Sequence, residues 1–138
     1  MSTLVGEWPV RVYYEDTDHG GGVYYANYLK FFERGRTELL RAVGFEQDEL
    51  ARETGILFVV RRVTVDYLRP AVFNDALRVV TEIGELGRSR VDFAQRIHRE
   101  GEDSPLCQGT VRIACVTAEE FRPARIPERV RAALGSEE

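Results

Sequence analysis

From residue 63 onward the apolar period of this chain changes from three-and-four to two, and it stays at two as far as residue 117. Val63, Val65 and Tyr67 alternate with Thr64, Asp66 and Leu68, and the same alternation returns around Leu77 and Val79, Val91 and Phe93, and Val111 and Ile113. These are four long strands in succession. The joints between them, residues 70–75, 84–87 and 100–105, are short and rich in turn formers, which favours antiparallel neighbours, since parallel crossovers need about a dozen residues or more. Ahead of the strands lies one long helical pattern, residues 23–43, with Tyr25, Tyr28, Phe32, Leu39 and Val43 on one face. A further strand, residues 8–14, precedes it. One apolar helix face therefore has to be covered by one antiparallel sheet of about five strands, an α+β arrangement.

Smaller features fit around that frame. Gly35 falls on the apolar helix face, where glycine costs about 1 kcal/mol relative to alanine, so a close approach of another backbone is expected there. Gly44 suits a helix end, residues 48–54 suit a short second helix, and residues 128–134 a third, with a frayed tail from about residue 135. A length of 138 residues is expected to form a single domain spanning 1–138. The formal net charge of -4 argues against nucleic acid or an anionic membrane as the main partner. No run of eighteen apolar residues and no basic leader is present, so no transmembrane segment and a cytoplasmic location are expected. Cys107 and Cys115 lie on one strand, roughly 26 Å apart, too far to pair.

Chemistry concentrates in residues 14–33, YEDTDHGGGVYYANYLKFFE. Asp18 precedes three glycines and the start of a helix whose first amides lack intrahelical acceptors. Such amides can hold an anion or polarise a carbonyl, and a nearby carboxylate can direct water or attack directly. Gly20, Gly21 and Gly22 permit positive φ and close approach of a substrate. The bland alternative is that Asp16, Thr17 and Asp18 only cap a turn. An EF-hand starting at Asp16 is excluded by Gly20 and Asn27, and phosphate-loop and dinucleotide fingerprints by the missing Gly-Lys-Ser/Thr and by Tyr25. Adjacent Glu15, Asp16, Asp18 and His19 point different ways in an extended run, so no metal site is expected. His19 is expected to face solvent, and His98, on the polar parity of its strand beside Arg96, to be exposed or at an interface.

Residues 14–36 as a whole, with a D-x-D-x-x-G loop, Tyr24, Asn27, Tyr28 and Phe31-Phe32-Glu33, resemble the signature of the 4-hydroxybenzoyl-CoA thioesterase family of hotdog-fold acyl-CoA thioesterases. The similarity is strongest to the branch associated with the bacterial Tol-Pal system, and Asp66-Tyr67, Pro70 and Asp75 extend it. The resemblance implies a hotdog fold: a long central helix wrapped by an antiparallel sheet, two subunits joining their sheets, and acyl-CoA bound at their boundary. It implies a homodimer or homotetramer, no cofactor beyond the CoA of the substrate, and no metal.

By position, the resemblance assigns the catalytic carboxylate to Asp18 and the thioester-polarising main-chain N–H to the neighbourhood of Tyr25. Many members of the Tol-Pal branch carry histidine at the position of Tyr25, whereas those resembling the 4-hydroxybenzoyl-CoA enzyme carry tyrosine. The main-chain contact survives either side chain; the acyl preference stays open. Gly20 to Gly22 would admit the thioester. Tyr24, Leu57, Phe58 and Val59 are candidates for the acyl pocket, with Tyr24 and Tyr28 equally suited to packing. Arg88 and Arg90, near the turn at 84–87, are either CoA-phosphate ligands or part of a solvated turn. The expected activity is acyl-CoA hydrolysis, with Asp18 as nucleophile or general base. The rivals are a non-catalytic acyl-CoA or acyl-carrier-protein binding module and, more weakly, a hotdog hydratase, whose motif the chain lacks.

Overall fold

A computed structural model describes residues 4–135; the outermost part of the expected frayed tail, 136–138, lies outside the described residues. The chain runs β1 (Val5–Arg11), a 3-10 turn (Tyr14–Asp16), α1 (Asn27–Ala42), α2 (Gln47–Thr54), β2 (Ile56–Tyr67), β3 (Ala76–Leu86), β4 (Arg90–Arg99), β5 (Pro105–Thr117) and α3 (Glu128–Leu134). The five strands form one sheet in the order β1-β3-β4-β5-β2, every neighbouring pair antiparallel. It is an α+β fold, one long helix against one antiparallel sheet, the arrangement that the hotdog resemblance implies.

Several expectations change. The second strand begins at Ile56, seven residues before the alternation that starts at Val63, because residues 56–60 are a continuous apolar run with no period of two. The first strand ends at Arg11, and Tyr14 opens the 3-10 turn instead of closing the strand. The long helix begins at Asn27, four residues later than Val23, because the preceding residues are held elsewhere: Val23 N–H donates to Ala71 O at 2.8 Å and Tyr24 N–H to Asp16 O at 2.9 Å. Tyr25 is accordingly exposed and outside the buried helix face. Finally, the short joint at 68–75 does not connect neighbours. β2 pairs with β5 while β3 lies two strands further in, and the eight-residue joint runs across the end of the sheet. Three inter-strand spacings amount to roughly 14 Å, well within its reach.

Helix α1 buries Tyr28, Phe31, Phe32, Gly35, Leu39 and Leu40. It lies chiefly over β1 and β3 and reaches only the near side of β4. Contact is tight there. A Cβ built on Gly35 would sit 2.7 Å from Thr81 Oγ1 and 2.8 Å from Val79 Cγ1, so the close approach expected at Gly35 is made by side chains of β3 and not by a backbone. Gly44 follows the helix end at φ 102°, the left-handed conformation that favours glycine. Over β5 and β2 the helix leaves a gap.

Candidate active site

The loop before α1 is a tight, self-bonded turn. Asp18 N–H donates to Gly22 O at 2.9 Å, Gly21 N–H returns to Asp18 O at 3.0 Å, and Thr17 pairs with Val23 across the turn. Of the three glycines only Gly21 has positive φ, 86°. Asp18 is exposed; its Oδ1 accepts the Gly20 N–H at 2.9 Å, which orients the carboxylate, while Oδ2 has no protein donor among the described residues.

Asp16 does a different job. Its Oδ2 accepts Tyr13 N–H at 2.8 Å, and its carbonyl accepts both Tyr24 N–H and the Nδ2–H of buried Asn27, each at 2.9 Å. Asn27 thus ties the loop to the first residue of α1, a role the sequence did not disclose. Between them, residues 25 and 26 form a turn, and among the described residues the Tyr25 N–H meets no acceptor. The Tyr25 carbonyl accepts the Tyr67 hydroxyl of β2 at 3.1 Å. The Tyr25 ring, 62% exposed, packs against Tyr24 and Tyr67. The Tyr24 phenol is pushed above its ordinary pKa, first by the Tyr25 side chain and least by the Asp18 carboxylate. Tyr28, by contrast, is buried, and its hydroxyl accepts Ala71 N–H at 3.0 Å, a packing role. His19 is exposed.

The gap beside α1 is a cavity of about 390 Å³, walled by Leu29, Arg36 and Leu40 of α1, Phe58 and Val63 of β2, and Leu134 of α3, with β4 and β5 as its floor. It starts one helical turn beyond Tyr25. Of the three candidates on β2 only Phe58 lines it; Leu57 and Val59 alternate onto the opposite sheet face. Arg36 was not foreseen, although a charge four residues after Phe32 and three before Leu39 is out of place on an apolar helix face. It is only 9% exposed, and burial pushes its guanidinium pKa down, with Glu33 opposing more weakly. Its Nη1 donates to Gln95 Oε1 at 3.1 Å, and Gln95 Nε2 donates onward to Phe32 O and Thr81 Oγ1.

Arg88 and Arg90 occupy the other end of the sheet. The Asp18 loop sits where β3 begins and the 87–89 turn where it ends, a strand length of roughly 33 Å. Arg88 is exposed and shares a small pocket with Arg125 and Arg131, neither of which stood out in the sequence. Arg90 is paired with Glu85 and lies 3.9 Å from Asp92. His98 is buried, against expectation, with Nδ1 unpartnered among the described residues; burial, Arg78 and Arg96 lower its pKa. Arg78, its partner across the β3–β4 ladder, donates from Nη2 to Glu102 O in the turn after the strand at 3.3 Å.

Residues 12–134 match the thioesterase-like superfamily. The acyl-CoA thioesterase YbgC of Haemophilus influenzae is 45% identical over 127 residues, 92% of either chain. The acyl-CoA thioester hydrolase YbgC of Escherichia coli O6:H1 is 43% identical over 130 residues, 94% of this chain and 96% of that one. Among solved structures, a probable thioesterase from Bartonella henselae superposes with a TM-score of 0.82 at 39% identity, covering 89% of this chain and 99% of the other. A 1,4-dihydroxy-2-naphthoyl-CoA thioesterase from Synechocystis gives 0.87 at 19% identity, covering 94% and 95%, a likeness of fold alone.

Proposed function

The chain belongs to the thioesterase-like superfamily, and from that premise we propose that it hydrolyses acyl-CoA thioesters to a free carboxylic acid and CoA. The observation that carries the mechanism is the unpaired Tyr25 N–H ahead of α1, held beside a loop that orients the Asp18 carboxylate.

The thioester carbonyl oxygen accepts the Tyr25 N–H, which together with the positive end of α1 stabilises the oxyanion as it develops. Asp18, through its free Oδ2, either takes a proton from an attacking water or attacks the carbonyl carbon itself to give an anhydride that water then opens. In both routes the C–S bond breaks and the CoA sulfur leaves as thiolate, to be protonated by solvent or, in the water route only, by the proton Asp18 has taken. No metal or redox cofactor is invoked. Gly20 to Gly22 keep side chains away from the approaching thioester, with Tyr24 at its flank, and the cavity beside α1 receives the acyl group.

Asp18 and Arg88 lie too far apart in one chain for a single CoA to bridge them with its acyl end at Tyr25. Strand β2 is a sheet edge, and Val60 and Val63 along it are exposed. A second copy joined antiparallel along β2 brings Arg88 of the partner subunit toward the Asp18 end, where it meets CoA phosphates, with Arg90 steadied by Glu85 and Asp92. A homodimer is therefore the minimal active unit, or a pair of such dimers. No described helix is long and apolar enough to cross a membrane; free thiols at buried Cys107 and Cys115 suit a cytoplasmic setting.

The test is CoA release from a panel of acyl-CoAs by wild type and Asp18→Asn. The substitution should lower kcat by roughly 10²–10⁴ with Tm unchanged, since Asp18 is exposed. Equal turnover by the two proteins sinks the role of Asp18. Ligand-dependent stabilisation with no turnover of any ester favours the non-catalytic binding module instead.

A further inference from the structure

Arg36 is a buried guanidinium on the wall of a mostly apolar cavity, and it forms no ion pair among the described residues. Arg78, Arg96, Arg99 and Arg112, which lie on the sheet, each reach a carboxylate: Glu100, Glu82, Asp75 and Asp92 respectively. Arg36 makes one hydrogen bond, from Nη1 to the neutral Gln95 Oε1. Its Nε and Nη2 meet no acceptor among the described residues and are not fully sealed from solvent, and Arg36 is one of the residues that line the cavity. The same two nitrogens present the parallel N–H pair that takes a carboxylate side-on.

The group is also held still. Gln95, which fixes Nη1, is itself fixed by Phe32 O at 2.9 Å and Thr81 Oγ1 at 2.8 Å. Arg36 therefore cannot readily swing its charge out to water. A plain hydrocarbon packed against that free edge would strip the guanidinium of solvent and return no acceptor, an unfavourable burial. The other charges on the cavity wall are Lys30 and Glu33, both exposed, so the cavity carries a net positive charge with its deepest cation at Arg36.

We infer that Arg36 anchors a carboxylate at the far end of the acyl group, and that the chain prefers ω-carboxyacyl-CoA thioesters to plain acyl-CoAs of the same length. This rests on the thioesterase activity proposed above and names the substrate class of that site. Arg36 stands eleven residues beyond Tyr25, roughly 16 Å along the helix, and helical side chains lean back toward the N-terminus, which shortens the span. A medium-length chain fits between the Tyr25 N–H and the guanidinium. An acetyl-sized group does not reach.

Octanedioyl-CoA (free ω-carboxylate) and octanoyl-CoA are the matched pair for the test. Wild type should show kcat/KM at least tenfold higher for octanedioyl-CoA, chiefly through KM. In Arg36→Met that ratio should fall to one or below, and Arg36→Lys, which keeps the charge without the planar pair of donors, should lie between. A wild-type ratio at or below one overturns the anchor and leaves the thioesterase intact, whatever the variants do. An unaltered ratio in a folded Arg36→Met overturns it equally. If wild type hydrolyses neither ester, the thioesterase proposal itself fails, and the anchor is then judged by binding. Octanoate should raise the wild-type Tm more than octanamide does, and equal shifts overturn the carboxylate site.

Discussion

The inner face of the sheet has two halves that α1 treats differently. Over β1 and β3 the helix comes close enough that Gly35 has no room for a side chain, and Leu39 presses on Gly6. Over β5 and β2 it stands off and leaves the 390 Å³ cavity. One helix face thus serves both as core and as pocket wall. The division falls along the helix circumference, with Gly35 on the packed side, Leu29 on the open side, and Arg36 with its Gln95 link at the seam. Stability and specificity are for this reason separable, and substitutions on the two sides should report different quantities.

The largest loss of stability is expected from filling the packed half. Gly35→Val would drive methyl groups into Thr81 and Val79 and should lower unfolding free energy by about 2–3 kcal/mol, read from the midpoint of urea denaturation at unchanged m. A loss within 0.5 kcal/mol would mean that the helix can lift, and the contrast between the halves would disappear. Next comes the seam. Gln95→Leu removes the acceptor of Arg36 Nη1 and a buried donor to Thr81 and Phe32, at about 1–3 kcal/mol; a smaller loss would show that water takes over the link.

Smaller still is an effect from behind the packed half, where His98 sits on the outer sheet face. Its folded pKa lies below the unfolded value of about 6.5. The unfolded chain binds the proton first, so the stabilisation is complete above that pH and is lost as pH falls through it toward the folded value. Tm should decline on acidification from pH 7, and His98→Gln should flatten that decline. A slope shared by both proteins would assign the titration to other groups. The least change in stability is expected from filling the open half. Val63→Phe should leave it within about 0.5 kcal/mol, while turnover of medium-chain acyl-CoAs falls about tenfold relative to acetyl-CoA. Should Val63→Phe destabilise like Gly35→Val, the gap is core and not pocket.

Much of this was legible in the sequence because it is local. The two periods located the body of α1 and the strands apart from the first seven residues of β2, where no alternation marks the apolar run, and the glycines at 44 and 55 marked the ends of α1 and α2 where the backbone turns left-handed. Non-local choices were hidden. No pattern within residues 56–67 says that β2 will pair with β5, or that a register shift between Val60 and Arg62 moves the inward set from Phe58 and Val60 to Val63. His98 reads as polar parity, yet it is buried beside Arg78, whose partner Glu102 lies in the turn beyond the strand. Asp18 and the glycines stood out by composition. Asn27 and Tyr67, which fix the Tyr25 turn from opposite sides, did not, since each acts through one hydrogen bond to a backbone carbonyl distant in sequence. Arg36 was visible only as a misplaced charge.

The pairing of β2 with β5 has a consequence for the chain while it is being made. Tyr67 pairs with Cys107 and Ile56 with Thr117, so β2 emerges from a ribosome at least forty residues ahead of the strand it pairs with. At roughly 5–20 residues per second it waits for two to eight seconds with both edges bare, carrying Leu57, Phe58, Val59 and Val60 in a row. Arg61 and Arg62 follow that run at once, and the ladder is interrupted at the same point. Two adjacent charges at a break in the ladder are the devices that keep a waiting strand from templating on another nascent chain. The irregularity that redirects Val63 into the pocket therefore also guards the strand during synthesis.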